Sequence, residues 1–153
     1  MENKERIPQF LHYQQEISTP SEDEYKKGYF LPFDFGQEVE SKFSDPNKPR
    51  ELARLVRELI INCHEHGNRF NPDKKVFVTV SETSDCLVVT VQDEGAGYPD
   101  ELIEDLKIPF YQKPTQKRGS RGSGFYGVRK GLEDNRIDDV EIVGNKIKLT
   151  IKK

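Results

Sequence analysis

A two-layer α+β sandwich, in which a mixed, mostly antiparallel sheet carries helices on one face, is the fold class the sequence predicts. Three observations predict it. Arg50 to His66 reads as an amphipathic helix, with Leu52, Leu55, Val56, Leu59, Ile60 and Cys63 on one apolar stripe. Val76–Val80 and Leu87–Val91 are β-rich runs joined by the polar loop Ser81–Asp85, a separation that suits an antiparallel hairpin. Val140–Val143 and Lys146–Ile151 flank Gly144 and Asn145, a good two-residue turn, and make a second hairpin.

The remaining elements follow in chain order. Ile7, Phe10, Leu11 and Ile17 recur at helical spacing, which predicts a short helix near the start. Thr19 to Glu24 reads as a solvated break, so residues 1–27 are expected to be a partly mobile, partner-binding arm and residues 28–153 the domain. Tyr29–Phe35 is an aromatic run with strand character, confined by Pro32 to an edge or an irregular strand. A short helix over Gln37–Phe43 ends at Ser44-Asp45-Pro46. Gly67 and Asn68 supply the stop of the main helix, since both tolerate left-handed backbone. Residues 93–131 are rich in Gly, Lys and Arg, with a helical stretch at Asp100–Leu106 and another from Gly124 through Asp134.

Size and charge set limits. The chain has 153 residues, the usual size of one domain, and 24 basic against 27 acidic residues leave a net charge of −3. That balance argues against a general nucleic-acid or anionic-membrane binder. No stretch approaches the roughly 20 apolar residues that span a bilayer. The start, MENKERIPQF, lacks the apolar run of a secretory signal. Cys63 and Cys86, the 2 cysteines, cannot build a zinc site by themselves and read as reduced thiols of a cytoplasmic protein.

Three motifs carry the chemistry. Glu58 and Asn62 are followed by His64, Glu65, His66, Gly67 and Asn68, and Glu58, Asn62 and Glu65 fall within an arc of roughly 60° on the helix. An Asn oxygen is a hard, neutral ligand that suits Mg²⁺, and a neighbouring carboxylate can accept a proton from a hydroxyl or a water. Asp93-Glu94-Gly95-Ala96-Gly97-Tyr98-Pro99 follows directly on a strand. A carboxylate there can accept a hydrogen bond from an exocyclic amine such as that of adenine, and the glycines let the backbone approach a flat ring. Gly119 to Gly127 holds four glycines next to Lys113, Lys117, Arg118 and Arg121. A glycine-rich loop running into a helix start offers N–H groups to phosphate oxygens. No Gly-Lys-Ser/Thr ends it, so it is not a Walker loop. No βαβ unit surrounds it, so its Gly-x-Gly-x-x-Gly spacing is not a dinucleotide fingerprint.

In this order the three motifs resemble the N, G1 and G2 boxes of the GHKL (Bergerat-fold) ATP-binding superfamily, over residues 29–151. Within it they are similar to the bacterial anti-sigma-factor serine/threonine kinases. Glu58-x-x-x-Asn62 with His66-Gly67 resembles their Glu-x-x-x-Asn-x-x-x-His-Gly, residues 92–99 resemble their Asp-x-Gly-x-Gly box, and Gly122-Ser123-Gly124 resembles their Gly-x-Gly. Phe125-Tyr126 departs from the Leu-Gly often found there in histidine kinases. The resemblance implies ATP and Mg²⁺, with Asn62 on the metal, Glu58 as general base and Asp93 on the adenine amine. Gly95 and Gly97 would shape that pocket, Arg121, Gly122, Ser123 and Gly124 would meet the phosphates, and residues 107–121 would form a lid. Lys113, Lys117, Arg118 and Arg121 all stay open as partners of the γ-phosphate.

The function so implied is a kinase that phosphorylates a small anti-anti-sigma partner or a related scaffold domain and controls a sigma factor; dimers are common in the resembled group. Two alternatives stand beside it: a stand-alone histidine-kinase-type ATPase domain, and a non-catalytic module whose nucleotide only gates protein binding. His12 lacks the acidic neighbour and dimerising hairpin of a phosphoacceptor histidine, and His64 and His66 lack a third convergent ligand for a metal.

Overall fold

The computed structural model describes residues 10–33, 39–106 and 122–153. Five strands form one sheet in the order β1-β2-β3-β5-β4, with every neighbouring pair antiparallel. They are β1 (His12–Ser18), β2 (Lys75–Glu82), β3 (Cys86–Gln92), β4 (Asp139–Val143) and β5 (Lys146–Lys152). Among the described residues the helices include α1 (Glu22–Lys26), α2 (Asn47–Asn62), α3 (Asp100–Asp105) and α4 (Gly122–Glu133). A π-helical turn, Cys63–Gly67, prolongs α2.

Period-two alternation decides which face of the sheet is buried. Val76, Val78 and Val80 on β2, Leu87, Val89 and Val91 on β3, and Ile147, Leu149 and Ile151 on β5 are all fully buried. The register sets Val78 opposite Val91 and Val89 opposite Leu149, so their side chains fuse into one aliphatic surface. The reverse face carries Gln14, Thr79, Thr90, Lys148 and Glu141 in a single row. The predicted stripe of α2, Leu52 through Cys63, packs into this aliphatic core, and Val128 of α4 joins it. Both predicted hairpins form, with Gly144 in left-handed backbone (φ +61°) at the second turn.

The N-terminal reading needs correction. Where helical spacing predicts a helix, residues 12–18 are a strand paired along its length with β2. Tyr13, Gln15 and Ile17 alternate inward, and only Ile17 is fully sequestered, so an edge strand with polar neighbours wins over a weak helical pattern. Residues 12–18 of the expected arm thus belong to the sheet as its edge strand. The expected break at Thr19–Glu24 holds α1, started by a capping box. Ser21 Oγ accepts from Glu24 N (3.1 Å) while Glu24 Oε1 accepts from Ser21 N (3.2 Å). Tyr29–Phe33 is irregular rather than a strand; residues 34–38, which hold the end of the expected Tyr29–Phe35 run and the start of the expected Gln37–Phe43 helix, lie outside the described residues, and residues 39–40 beyond them are helical.

Glu82, the last residue of β2, ties three segments together. It accepts from Leu11 N at 2.8 Å, and its carboxylate meets Lys42 (3.0 Å) and Lys153 (2.8 Å) with a side chain only 6% exposed. The hydrogen bonds from Lys153 and Leu11 N hold its carboxyl down to about 2, against an ordinary 4.5. A depressed carboxyl contributes stability above the ordinary value and loses it as pH falls from 4.5 through 2. Glu82→Gln is therefore expected to melt a few degrees lower near neutral pH, with the gap closing as pH approaches 2. Thermal melts followed by circular dichroism at stepped pH would show a constant gap if this is wrong.

Candidate functional site

The site is built around the C-terminal turns of α2. Glu58 is exposed on the penultimate turn, and Asn62, the last α-helical residue, is 3% exposed. Beyond it the chain takes wider π turns, so Asn68 N donates to Cys63 O at 2.7 Å. Such bulges gather at functional sites because they re-aim side chains without ending the helix.

The helix stop differs from the one predicted. Gly67 and Asn68 do not take left-handed backbone; Arg69 (φ 50°) and Phe70 (φ 56°) do. Both earlier residues are occupied with other tasks. A Cβ on Gly67 would lie 1.9 Å from Asp93 Oδ2, so the glycine exists to let the Asp93 carboxylate in. Asn68, 1% exposed, donates to Thr19 Oγ1 (2.9 Å) and Lys75 O (3.0 Å) and accepts from Glu94 N (2.8 Å). The helix end, β1, β2 and the Asp93 loop are thereby locked in one network. Sequence reading places Asn68 in the first motif only as a helix stop and misses its linking role; the signal available is a side chain able both to donate and to accept beside His66-Gly67. Asn68→Ala strands these buried partners and is expected to cost on the order of 3 kcal/mol of unfolding free energy in urea titrations. A loss below about 0.5 kcal/mol would refute the lock.

Asp93 follows β3 directly and is 1% exposed. Its Oδ1 accepts from Gly95 N at 2.8 Å, which closes the loop on its own first residue. The β4–β5 turn clamps the same loop from the other side: Asn145 Nδ2 donates to Asp93 O (2.7 Å), and Gly144 O accepts from Tyr98 N (3.0 Å). Gly95 backs onto the Gly67 carbonyl, 2.2 Å from where a Cβ would sit, and Gly97 takes φ +103°, which an L side chain strains to adopt. Tyr98 is buried, with its hydroxyl 4.0 Å from Cys63 Sγ.

The third motif arrives on α4. Gly122, Ser123 and Gly124 form its first turn; Arg121 and the expected lid, residues 107–121, lie outside the described residues. Gly127 faces α2 so closely that a Cβ there would be 3.0 Å from both Glu58 Oε2 and Leu55 Cδ1. The motifs predicted from sequence thus converge: the helix end holds the Asp93 loop, and the glycine helix lies against Glu58. Glu58 keeps solvent contact, but its partial desolvation against α4 and the groove pushes the carboxyl above the usual carboxylate range, with Arg54 pulling the other way.

Two recesses open here. Glu58, Asn62 and Glu65 line a groove of about 890 Å³ with Phe30 and Arg54; Gly67, Gly95 and Gly97 line a neighbouring recess of about 930 Å³. The groove's outer wall is the segment Tyr29–Phe33. Tyr29 stands edge-on to His64 (centroids 5.6 Å apart) with its hydroxyl 3.3 Å from Nε2, and Arg57 Nη1 donates to Phe33 O. Burial pushes the His64 imidazole down to about 4, so it stays neutral as a packing group. His12 is exposed on β1, 3.3 Å from Ser81 Oγ. Among the described residues no group of three or more His, Cys, Asp or Glu is arranged to hold a metal ion. Cys63 is buried and Cys86 half-buried, and neither is in a disulfide. No helix among the described residues is long and apolar enough to cross a membrane.

The antiparallel strands β2 to β5 and the helices α2 and α4, with the helix-end Asn, the Asp-x-Gly-x-Gly loop and the glycine-led helix start on one side, lie within a stretch that matches the family described as histidine kinase-, DNA gyrase B- and HSP90-like ATPases. That family matches residues 47–153, and the chain belongs to it. Among curated relatives, the chain is 33% identical over 101 residues to the anti-sigma F factor of Bacillus velezensis, covering 65% of this chain and 66% of that protein. It is 39% identical over 90 residues to the anti-sigma F factor of Heyndrickxia coagulans (58% and 55%). A signal transduction histidine-protein kinase of Streptomyces coelicolor is 31% identical over 94 residues, 61% of this chain but 16% of that protein. The match spans just under two thirds of the first of these relatives.

Proposed function

We propose that the chain is an ATP-dependent protein serine/threonine kinase of the anti-sigma-factor kind, acting in the cytoplasm on a small anti-anti-sigma or scaffold domain and through it on a sigma factor. One observation carries the reading: Asp93 fills the space left by Gly67 while Glu58 abuts Gly127, so all three motifs face the last turns of α2. The likeness to anti-sigma F factors points to the kinase class within the ATPase family.

The residues fit the nucleotide. Asp93 offers a fixed carboxylate acceptor for the exocyclic amine of adenine, held by Gly95 N. Asn62 would ligate Mg²⁺ through its carboxamide oxygen, with phosphate oxygens completing the shell. Magnesium and ATP, when bound, supply the transferable phosphoryl group and the charge that offsets its transition state. Gly122, Ser123 and Gly124 present the first N–H groups of α4, which an α-helix leaves unpaired within itself, to the phosphates, with Arg121 adjoining. Glu58 accepts the proton of the acceptor hydroxyl as its oxygen bonds to the γ-phosphorus and ADP departs.

The decisive experiment incubates the chain with radiolabelled ATP, Mg²⁺ and a candidate anti-anti-sigma domain. Label on Ser or Thr of that domain is expected; nucleotide binding without transfer to any protein would leave a nucleotide-gated binding module. The histidine-kinase likeness favours a second reading, a stand-alone ATPase domain, which would instead label a His on a separate dimerisation partner.

A further inference from the structure

We propose that the α2 face carrying Arg50 and Arg54, with Phe30 beside it, docks an acidic polypeptide segment that also bears a large apolar side chain. At 100° per residue Arg50, Arg54 and Arg57 fall within roughly 60° of one another, with Ile61 between them and Glu58 about 40° beyond Arg54. Arg57 is used: it donates to Phe33 O and fastens the wall of the groove. Arg50 and Arg54 are exposed, line the same groove as Glu58, and make no salt bridge among the described residues. Within Tyr29–Phe33, Leu31 (4%) and Phe33 (3%) are buried, yet Phe30 is 80% exposed at the groove mouth. Two open guanidiniums beside a free aromatic ring match carboxylates flanking an apolar anchor.

The chemistry favours a polypeptide. Glu51, Glu58 and Glu65 border the basic face and the chain is net −3, so the extended positive field that grips a phosphate backbone is absent. The chain's own acidic run is a poor occupant, because Glu22 and Asp23 pair with Lys26 (3.1 Å) and Lys27 (3.0 Å). A segment docked here lies alongside Glu58, which would set its serine or threonine at the base; that last step alone rests on the kinase reading.

The test uses the full chain and a short fluorescent peptide holding one serine, one leucine and several aspartates, against its lysine counterpart and a single-stranded oligonucleotide of equal charge. Fluorescence anisotropy at low salt is expected to show the acidic peptide binding at least about tenfold more tightly than either control, weakening as salt rises. Arg50→Glu should weaken it about tenfold, Arg50→Glu/Arg54→Glu should abolish the preference, and Phe30→Ala should weaken it severalfold. Arg50→Glu should leave ATP affinity and oligomeric state unchanged. Equal binding of the lysine peptide or the oligonucleotide, indifference to Arg50→Glu, displacement of the peptide by ATP, or a change of oligomeric state in the variant would each overturn the proposal. A peptide that binds as expected but is never phosphorylated leaves the surface standing and removes the kinase reading. Phosphorylation that ignores Arg50→Glu does the reverse.

Discussion

Asp93→Asn is expected to bind ATP about 100-fold more weakly than the parent chain, a loss of about 2.7 kcal/mol. The expectation follows from how the carboxylate is held. Gly95 N donates to Oδ1 at 2.8 Å, so an Asn here must keep its oxygen on that N–H. Its amide nitrogen then replaces Oδ2 and offers a donor where adenine's exocyclic amine needs an acceptor. Charge is lost as well, and hydrogen bonds to charged groups contribute about 1.5–3 kcal/mol. Isothermal titration with Mg-ATP gives the affinity, and a thermal melt of the same sample shows whether the fold survives. Undiminished binding would remove Asp93 from the site. Gly67→Ala is expected to act on the same contact from behind, since its Cβ would fall 1.9 Å from Asp93 Oδ2 and must displace the carboxylate without altering its charge.

If the proposed kinase reading holds, Glu58→Gln is expected to bind nucleotide normally and to lose phosphoryl transfer by about 10²–10⁴-fold, the usual contribution of a positioned base. Gln is nearly isosteric, so the contact with Gly127 is kept while proton acceptance is removed. The pH profile supplies an independent readout. Partial desolvation raises the Glu58 carboxyl, and a base must be ionised to act, so kcat/KM falls on the acid side with a midpoint above the ordinary 4.5. Arg54 opposes that rise, so Arg54→Ala moves the limb further toward neutral pH. A Glu58→Gln variant that retains the limb, or the rate, would show that another group takes the proton.

Much of the site is legible in the order of the residues. The stripe of α2 predicts its buried face, both hairpins follow from alternation and turn residues, and the spacing Glu58, Asn62, Asp93, Gly95, Gly97 and Gly122 marks the chemistry. The misread elements share a cause, which is distance along the chain. Residues 12–18 carry too few apolar side chains for either period to dominate, and the open edge of β2 supplies the hydrogen bonds that make them a strand. Gly67 and Asn68 look like a helix stop because their local freedom is visible in sequence. Their partners, Asp93 and Glu94, lie 26 residues away in the chain.

Sequence alone therefore determined the periodic elements and the candidate reactive groups, since both are read from neighbours within a few residues. Tertiary structure decided which side chains meet: Gly67 with Asp93, Gly127 with Glu58, Asn145 with the Asp93 loop, and Phe30 left bare beside Arg50 and Arg54. The physical reason is that close approach and exposure are properties of packed surfaces, fixed only when sheet and helices bury their apolar faces against each other.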